Sequence, residues 1–416
     1  MTRARPQDHP ASTRRDVQVA PAARDVRLFL IAGEHSGDAL GGKLMEAINR
    51  RLPGRVRYLG VGGEAMAKQG LVSQFPIEEV AVMGLASILP RLPLILRRVY
   101  GTASAAVAGQ PDAVVIIDSP EFTHPIAKRI RRRAPHIPIL NYVSPQVWAW
   151  RPGRAQRMRW YIDHTLALLP FEPEKYAQLG GPQCSYVGHP LIERMETIRG
   201  IDPAPLAKRL GIDPMRPVIL ILPGSRRSEV SRLMKPFGSA MGRISKQLGP
   251  LQILIPAVST ARELIEGELK SWPVGAHIVE DEDDKYRAFN LAHAALTASG
   301  TVTLELALAG TPAVVAYRVD AVTSLVRFLI KVPSIVLANL VLGENVYPEF
   351  IQERASPENL AAALLPLLAD TAERRTQLAG LARIAERMQV EGGSPSDTAA
   401  TIVLAHAEHG RDGAGA

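Results

Sequence analysis

Short apolar runs that alternate with helical patterns constrain the fold of this chain more than any other feature. VRLFLIAG (Val26–Gly33) is one such run, and the helical pattern ALGGKLMEAINR follows it. The unit recurs at Asp112–Asp118 and Pro138–Ser144, and it restarts at Val218–Gly224 after a proline-rich, charged stretch. Uniformly apolar strands, each followed by a helix, predict parallel sheets covered on both faces. The predicted fold class is α/β, with two consecutive doubly wound, Rossmann-like domains.

Further strands are predicted from the same pattern, namely His164–Phe171, Cys184–Pro190, Leu251–Ala257, Ala276–Glu280, His293–Gly300 and Thr311–Val319. A length of 416 residues suits two domains, and a single cysteine excludes a disulfide framework. The first residues lack the apolar segment of a secretory signal, and no run of about 18 apolar residues exists, so we expect a cytosolic protein. The predicted divisions are a disordered tail (1–25), two Rossmann-like domains (26–195 and 196–365), and C-terminal helices with a flexible end (366–416). The C-terminal helices are predicted to pack back on the first domain.

The net charge of +8 is concentrated in one part of the chain. Between Arg91 and Trp160, 12 Lys and Arg side chains face only three Asp and Glu side chains. Such an excess suits an anionic partner, whether nucleic acid, a membrane surface or a phosphorylated substrate, but each single arginine is equally well a solvated surface residue. The acidic run Glu280–Asp284 is predicted to be an exposed loop.

Two loops of the first half carry polar residues directly after predicted strands, where open α/β sheets bind ligands. In AGEHSGD (Ala32–Asp38), Ser36 and Asp38 are predicted to cap the following helix, whereas Glu34 has no capping role at its position and is a candidate functional residue. In IDSPEF (Ile117–Phe122), Asp118 is a candidate general base, and an Asx-type turn onto the backbone is an equally good interpretation.

Two loops of the second half have the character of a phosphate site. PGSRRSEV (Pro223–Val230) offers Gly224 and Ser225 backbone N–H groups, with Arg226 just ahead of a helix. ASGTVTLELALAG (Ala298–Gly310) opens another helix with Ser299, Gly300 and Thr301, and Glu305 lies one turn further, where a carboxylate can bind two ribose hydroxyls. Together the two loops predict a nucleoside-diphosphate pocket.

Two segments of the first half have more than one interpretation. Ala81–Tyr100 is almost wholly apolar and ends in arginines, so it is either a buried helix or a surface for anionic membrane and acyl chains. Tyr142–Tyr161 interleaves aromatic residues with arginines, which suits either single-stranded nucleic acid or an active-site loop.

Ten ordered motifs closely resemble those of the lipid-A-disaccharide synthase family, over about Val26 to Leu367. They read AGEHSGD, GVGGEAM, VMGLASILPRL, IDSPEF, YVSPQVWAWR, LPFE, VGHP, LPGSRRSEV, ASGTVTLELAL and PAVVAYR. The resemblance implies a GT-B fold and an inverting glycosyltransferase that needs neither metal nor cofactor. Such enzymes transfer 2,3-diacylglucosamine from UDP to 2,3-diacylglucosamine 1-phosphate, which gives the β-1,6 lipid A disaccharide 1-phosphate and UDP.

The resemblance also implies functional residues. Glu34, Asp118, Arg226, Glu305 and Asn339 fall on positions that the family needs for activity. Asp118 is the favoured general base, and Glu34 is its alternative. His35 and Gln146 depart from the usual pattern and bear on substrate detail.

The remaining implications concern partners and location. We expect a cytoplasmic enzyme on the anionic inner-membrane surface of a Gram-negative bacterium, with no nucleic-acid partner; a homodimer is compatible with this. The residues expected to bind acceptor or membrane are Met83, Ile88, Leu89, Arg91, Leu92, Arg97 and Arg98. The competing interpretations are a UDP-N-acetylglucosamine 2-epimerase, which has no use for an apolar basic surface, and a nucleic-acid-binding protein, which leaves Glu34, Asp118 and Glu305 without a purpose.

Overall fold

The computed structural model describes residues 25–81, 89–150, 152–319, 333–390 and 393–410. Within these ranges, two six-stranded sheets form, and every strand pair in them is parallel. The first sheet contains β1 (Val26–Ala32), β2 (Val56–Val61), β3 (Ala113–Ile117), β4 (Ile139–Tyr142), β5 (His164–Ala167) and β6 (Gln183–Tyr186). The second contains β7 (Val218–Leu222), β8 (Gln252–Pro256), β9 (His277–Val279), β10 (Ala294–Ala298), β11 (Ala313–Tyr317) and β12 (Glu349–Ile351).

Helices follow most strands in the described ranges. In the first half they are α1 (His35–Arg51), α2 (Glu64–Lys68), α3 (Leu92–Gly109), α4 (Pro120–Arg133), α5 (Val147–Trp150), α6 (Gly153–Met158), α7 (Glu172–Gln178) and α8 (Pro190–Glu193). The next two helices, α9 (Met195–Gly200) and α10 (Ala204–Leu210), pack on helices of the second half. In the second half they are α11 (Arg227–Leu248), α12 (Ser259–Leu269), α13 (Glu282–Leu291), α14 (Val302–Ala309), α15 (Leu337–Leu342), α16 (Pro357–Leu364), α17 (Ala372–Arg387) and α18 (Pro395–His409).

The strand orders create one switch point in each sheet. The first sheet has the order β2-β1-β3-β4-β5-β6, so the chain leaves β1 in one direction and returns to its other side at β3. The second has the order β12-β11-β10-β7-β8-β9, with the reversal between β7 and β10. Helices that cross in opposite directions leave a crevice at the carboxyl ends of those two strands, and ligands of doubly wound proteins bind there. The predicted α/β, doubly wound class is confirmed.

Apolar packing covers both faces of each sheet. In the first half, α1 and α18 pack on one face, while α3 and α4 pack on the other. In the second half, α11, α12 and α16 cover one face, and α13, α14, α15 and α17 cover the other. The apolar cluster between the second sheet and α13, α14, α15 and α17 also includes Leu169 and Leu191 of the first half, so the two halves share apolar contacts.

The C-terminal helices divide between the two halves. The last helix, α18, packs back on α1 and β3 as predicted, and Arg50 and Arg51 bind its Asp397 and Thr401. The helix before it, α17, packs instead on α14 and α15, so that part of the prediction is wrong. Its buried Gln377 explains this, because the side chain bonds the backbone N–H and C=O of Ala313 in β11.

Two local predictions are corrected by the structure. The acidic run at 280–284 does not form a loop, because Asp281 accepts the N–H groups of Asp283 and Asp284 and caps α13, whose N-terminus favours negative charge. Asp38 does cap a helix, but it is α2 rather than α1, since its carboxylate accepts N–H groups of Gly63, Ala65 and Met66.

The basic stretch is also less uniform than its sequence indicates. Arg131 is buried and forms an ion pair with Asp163. Arg98 binds both carboxylate oxygens of Glu79, at 2.7 and 3.0 Å, and stacks on the Phe75 ring. These two arginines therefore have structural partners within the fold.

The predicted tail lies outside the described residues, except for Asp25, and so do Met83, Ile88 and the side chain of Leu89. Within the described ranges, no helix is both long and apolar enough to cross a bilayer.

Candidate active site

A cavity of about 520 Å³ opens at the switch point of the second sheet. Its lining includes seven of the residues predicted for the nucleotide, namely Gly224, Ser225, Arg226, Ser299, Gly300, Thr301 and Glu305. The first three lie between β7 and α11, and the others lie between β10 and the first turn of α14. The strand order brings the two loops together, although they are about 75 residues apart in the sequence.

The two glycines hold backbone conformations that favour glycine. Gly224 has φ +107°, and a Cβ there would lie 2.4 Å from Oε2 of Glu229. Gly300 has φ +153° with open space around it. Both loops can therefore turn sharply and direct the N-termini of α11 and α14 toward the cavity, where N–H groups are available to an anion.

Charged side chains complete this cavity. Arg226 is largely exposed and reaches Oε1 of Glu229 at 3.1 Å, so its guanidinium can also bind a ligand. Lys285, which the sequence analysis did not single out, lies 2.5 Å from Oε2 of Glu305. Its only sequence signal is its place directly after the acidic run at the start of α13. The ion pair holds the Glu305 carboxylate at the cavity wall.

Asn339 is not brought to this cavity. Its buried amide donates to Oδ1 of Asn345 and to the Tyr347 carbonyl, while its carbonyl accepts the Tyr347 N–H. It lines a separate cavity, about 730 Å³ in volume, together with Trp148 and Phe171. The side chain thus fixes the turn that follows α15.

The switch point of the first sheet brings Glu34 and Asp118 onto adjacent loops. A Cβ on Gly33 would lie 2.8 Å from the Cβ of Ser119, so glycine permits the close approach of these loops. Ser36 donates to Oδ2 of Asp118 at 3.2 Å and links the loops directly. Glu34 occupies the N-cap position of α1 without a side-chain capping bond.

Asp118 has an unusual backbone conformation. Its φ is +52° and that of Ser119 is +44°, and the first turn of α4 begins at once with Pro120. Positive φ angles are energetically unfavourable for non-glycine residues, and backbone strain of this kind concentrates at functional sites. The Asp118 carboxylate accepts a hydrogen bond from the Ser36 hydroxyl. The Thr123 hydroxyl donates instead to the backbone carbonyl of Asp118. Asp118 lines a cavity of about 280 Å³.

A buried carboxylate lies behind this cavity. Glu172, in the first turn of α7, accepts the indole N–H of Trp148 at 3.1 Å and the Leu169 N–H at 3.0 Å. Burial disfavours its charged form and raises the pKa of the Glu172 carboxyl from 4.5 to about 7, although the hydrogen bonds oppose the shift. The residue belongs to the LPFE motif, but sequence reasoning did not single it out, because nothing in the pattern reveals its burial.

The described part of the apolar segment forms an exposed stripe. Leu92, Leu96 and Tyr100 recur every four residues on α3, are 42%, 45% and 59% exposed, and so lie on one helix face. Arg97 is exposed, and the Arg129 guanidinium lies 4.1 Å from the Tyr100 ring centre. The opposite face of α3 is buried in the first unit.

Two more arginines of the acceptor prediction have known contacts. Arg91 is exposed and donates to the Glu78 carbonyl at 3.4 Å, whereas Arg98 is held by Glu79. Of the predicted acceptor and membrane residues that the structure describes, Leu92 and Arg97 are the most freely presented. No group of three or more His, Cys, Asp or Glu side chains in the described ranges is arranged to hold a metal ion.

Two doubly wound units, each with one reversal of strand order in its sheet, define the GT-B fold class. A profile of the family described as lipid-A-disaccharide synthetase matches residues 28–403. The lipid-A-disaccharide synthase of Rhodopseudomonas palustris strain HaA2 is 52% identical over 379 residues, which cover 91% of this chain and 95% of that protein. That of Nitrobacter hamburgensis is 51% identical over 387 residues, or 92% and 97%. The chain belongs to the lipid-A-disaccharide synthase family.

Solved structures show the same fold at much lower identity. The MnaA–UDP structure from S. aureus has a TM-score of 0.60 and 12% identity, and covers 92% of this chain and 96% of that one. The UDP-N-acetylglucosamine 2-epimerase of Neisseria meningitidis bound to UDP-N-acetylglucosamine has a TM-score of 0.56 and 13% identity, with coverages of 91% and 98%. These likenesses establish the architecture, whereas the sequence relatives establish the family.

We predict that Glu172 makes stability depend on pH. A carboxyl whose pKa is higher in the folded state contributes stability below about pH 4.5, and this contribution is lost as the pH rises through 7. The loss amounts to at most about 3 kcal/mol. The free energy of unfolding, measured in urea between pH 5 and 8, should fall more steeply for the wild type than for Glu172→Gln. If the free energies of unfolding of wild type and Glu172→Gln changed in parallel with pH, Glu172 would ionise normally. Glu174→Gln is the control, since Glu174 is exposed and lies two residues away on the same helix.

Proposed function

We propose that this chain carries out the reaction for which its family is named. It transfers 2,3-diacylglucosamine from UDP to the 6-hydroxyl of 2,3-diacylglucosamine 1-phosphate and forms a β-1,6 linkage in lipid A biosynthesis. The proposal rests on the different groups at the two switch points. The switch point of the second sheet presents N–H groups and an arginine, and that of the first sheet presents two carboxylates.

The donor binds in the second half. The N-termini of α11 and α14 and the guanidinium of Arg226 surround the diphosphate, and Glu305 accepts ribose hydroxyls. As the glycosidic bond breaks, negative charge grows on UDP, and these fixed donors stabilise it. Asn339 serves the site indirectly, since its amide holds the turn after α15.

The acceptor binds in the first half. Asp118 takes the proton of the 6-hydroxyl as that oxygen attacks the donor anomeric carbon, and UDP leaves from the opposite side, which inverts the configuration. The hydrogen bond from Ser36 orients the carboxylate. Glu34, on the adjacent loop, orients the acceptor or lines the cleft near the donor.

Arg226→Ala should weaken UDP binding by about 10- to 150-fold, because it removes a charge-assisted hydrogen bond. Isothermal titration calorimetry with UDP measures this directly. Arg227→Ala is the matched control, since Arg227 is exposed on α11 and does not line the cavity. Equal UDP affinity of the Arg226 variant and wild type would remove Arg226 from the donor site.

Asp118→Asn should lower kcat by about 10²–10⁴-fold, the usual cost of losing a positioned general base, and leave UDP affinity unchanged. The amide keeps the size of the side chain but cannot take the proton. Glu34→Gln should raise the acceptor KM more than it lowers kcat. If Asp118→Asn keeps near-full kcat while Glu34→Gln abolishes it, the two roles are exchanged.

We further propose that the protein associates with the anionic inner-membrane surface through the exposed stripe of α3. Apolar side chains at Leu92, Leu96 and Tyr100 enter the headgroup boundary, and Arg97 and Arg129 meet the anionic lipid. A peripheral, cytoplasmic location follows from this proposal. The homodimer compatible with the resemblance stays a prediction.

Replacing Leu92, Leu96 and Tyr100 with serine should weaken binding to phosphatidylglycerol vesicles on the order of 100-fold, since three exposed apolar side chains are lost. Vesicle co-sedimentation measures the effect, and thermal unfolding checks the fold. A control with Val72, Met215 and Leu248 changed to serine removes three exposed apolar residues elsewhere. Vesicle binding that both triple variants retain would contradict the proposal.

A further inference from the structure

The cavity beside Asp118 has a composition that a general base alone does not require. Its volume of about 280 Å³ lies just below the range of about 300–1,000 Å³ of sites that hold whole small molecules. It therefore suits one polar group of a substrate rather than a diacylated sugar. Besides Asp118, the polar side chains in its lining are Glu121, His124, Asn141, Ser144, Gln146 and Arg154.

Arg154 supplies positive charge to this cavity. Its side chain, on α6, is only 18% exposed, and it reaches Oε1 of Glu121 at 3.1 Å and the Pro120 carbonyl at 3.5 Å. Burial, and then the charges of the neighbouring Arg154 and Arg157, lower the pKa of Lys128, which indicates a positive field in this region. Crowded cations of this kind are stabilised by an anion.

Two polar side chains of the cavity lining already have neighbours in the fold. The His124 ring interacts with the Asn141 side chain, and its Nδ1 is engaged by the Tyr161 hydroxyl at 2.9 Å. Ser144 interacts with the Glu172 carboxylate. Both side chains are buried, so they shape the wall of the cavity.

The His124 ring adds no charge to the cavity. Burial, followed by the charges of Arg154 and Lys128, lowers the pKa of His124 to about 3, so the ring is neutral at physiological pH. Arg154 is therefore the one cationic side chain in the described lining, and its guanidinium suits a phosphate oxygen pair.

The acidic residues of the cavity are compatible with an anion. Glu121 is 81% exposed on its side chain, so its carboxylate can swing into solvent when an anion binds Arg154. Asp118 is tied to Ser36, on the adjacent loop. The base and the cation therefore have different anchors.

We propose that this cavity binds the phosphate monoester of the acceptor, with Arg154 as its charged contact. The inference rests on the proposed function, because that function supplies a sugar phosphate as acceptor. It goes beyond that function by assigning the phosphate to α6 and by making Arg154 the residue that selects phosphorylated acceptors.

The test measures binding rather than turnover. Calorimetry in mixed micelles compares the binding of diacylglucosamine 1-phosphate with that of diacylglucosamine without the phosphate. The proteins are wild type, Arg154→Ala and the control Arg157→Ala. Arg157 is a suitable control because its side chain is exposed on the same helix and outside the cavity. Wild type and the control should prefer the phosphorylated sugar by about 10–100-fold. Arg154→Ala should lose this preference while binding the unphosphorylated sugar as wild type does.

Glu121→Gln keeps the proposal testable if Arg154→Ala fails to fold. Glu121 is exposed, and removing its competing charge should tighten binding of the phosphorylated sugar about 2- to 5-fold without changing that of the other. Equal loss for both sugars in Arg154→Ala, or no effect of Glu121→Gln, overturns the proposal.

Two further arms identify the source of the phosphate. Inorganic phosphate that competes as strongly as the sugar phosphate, or an Arg154→Ala defect seen only with phosphatidylglycerol vesicles, overturns the acceptor assignment. A wild type that prefers the phosphorylated sugar but forms no disaccharide supports this subsite and contradicts the proposed function instead.

Discussion

The reversal of strand order in each sheet is the constraint on which the rest of the structure depends. It separates neighbouring crossover helices and leaves the carboxyl ends of β1 and β3, and of β7 and β10, open to ligands. Glycine suits these ends, because a Cβ at Gly33 would meet Ser119 and the φ of +107° at Gly224 favours a residue without a side chain. The polar residues at these four strand ends can therefore act together, although they are far apart in the sequence.

Local pattern was sufficient to predict ten of the twelve strands in the described ranges, and the loops that follow them. Buried parallel strands are uniformly apolar, and their ends are marked by glycine and polar residues. Two strands lack that signal and were missed, namely β2, with Arg57 and Tyr58 in an alternating pattern, and the three-residue β12. Charge pattern was a poorer guide, since the acidic run caps α13 and Arg131 is buried with Asp163.

Sequence reasoning also found most of the candidate site, because its residues follow strands directly. What it could not find depends on contacts between distant segments. Lys285 matters through its ion pair with Glu305, and Glu172 through burial beneath Trp148. Asn339 shows the converse, since a resemblance singled it out while its amide is occupied within the fold. Arg154 stood out only as one of many arginines until its cavity was defined.

The fold is shared with epimerases that also act on UDP-sugars, so the most direct measurement identifies the product. Purified protein is incubated with UDP-2,3-diacylglucosamine and 2,3-diacylglucosamine 1-phosphate, and NMR follows the sugar and phosphorus signals over time. Our account predicts one UDP released for each disaccharide formed, with a β-1,6 linkage and no epimer of the donor. Consumption of the donor with its C2 configuration changed, or release of UDP without a disaccharide, would contradict it.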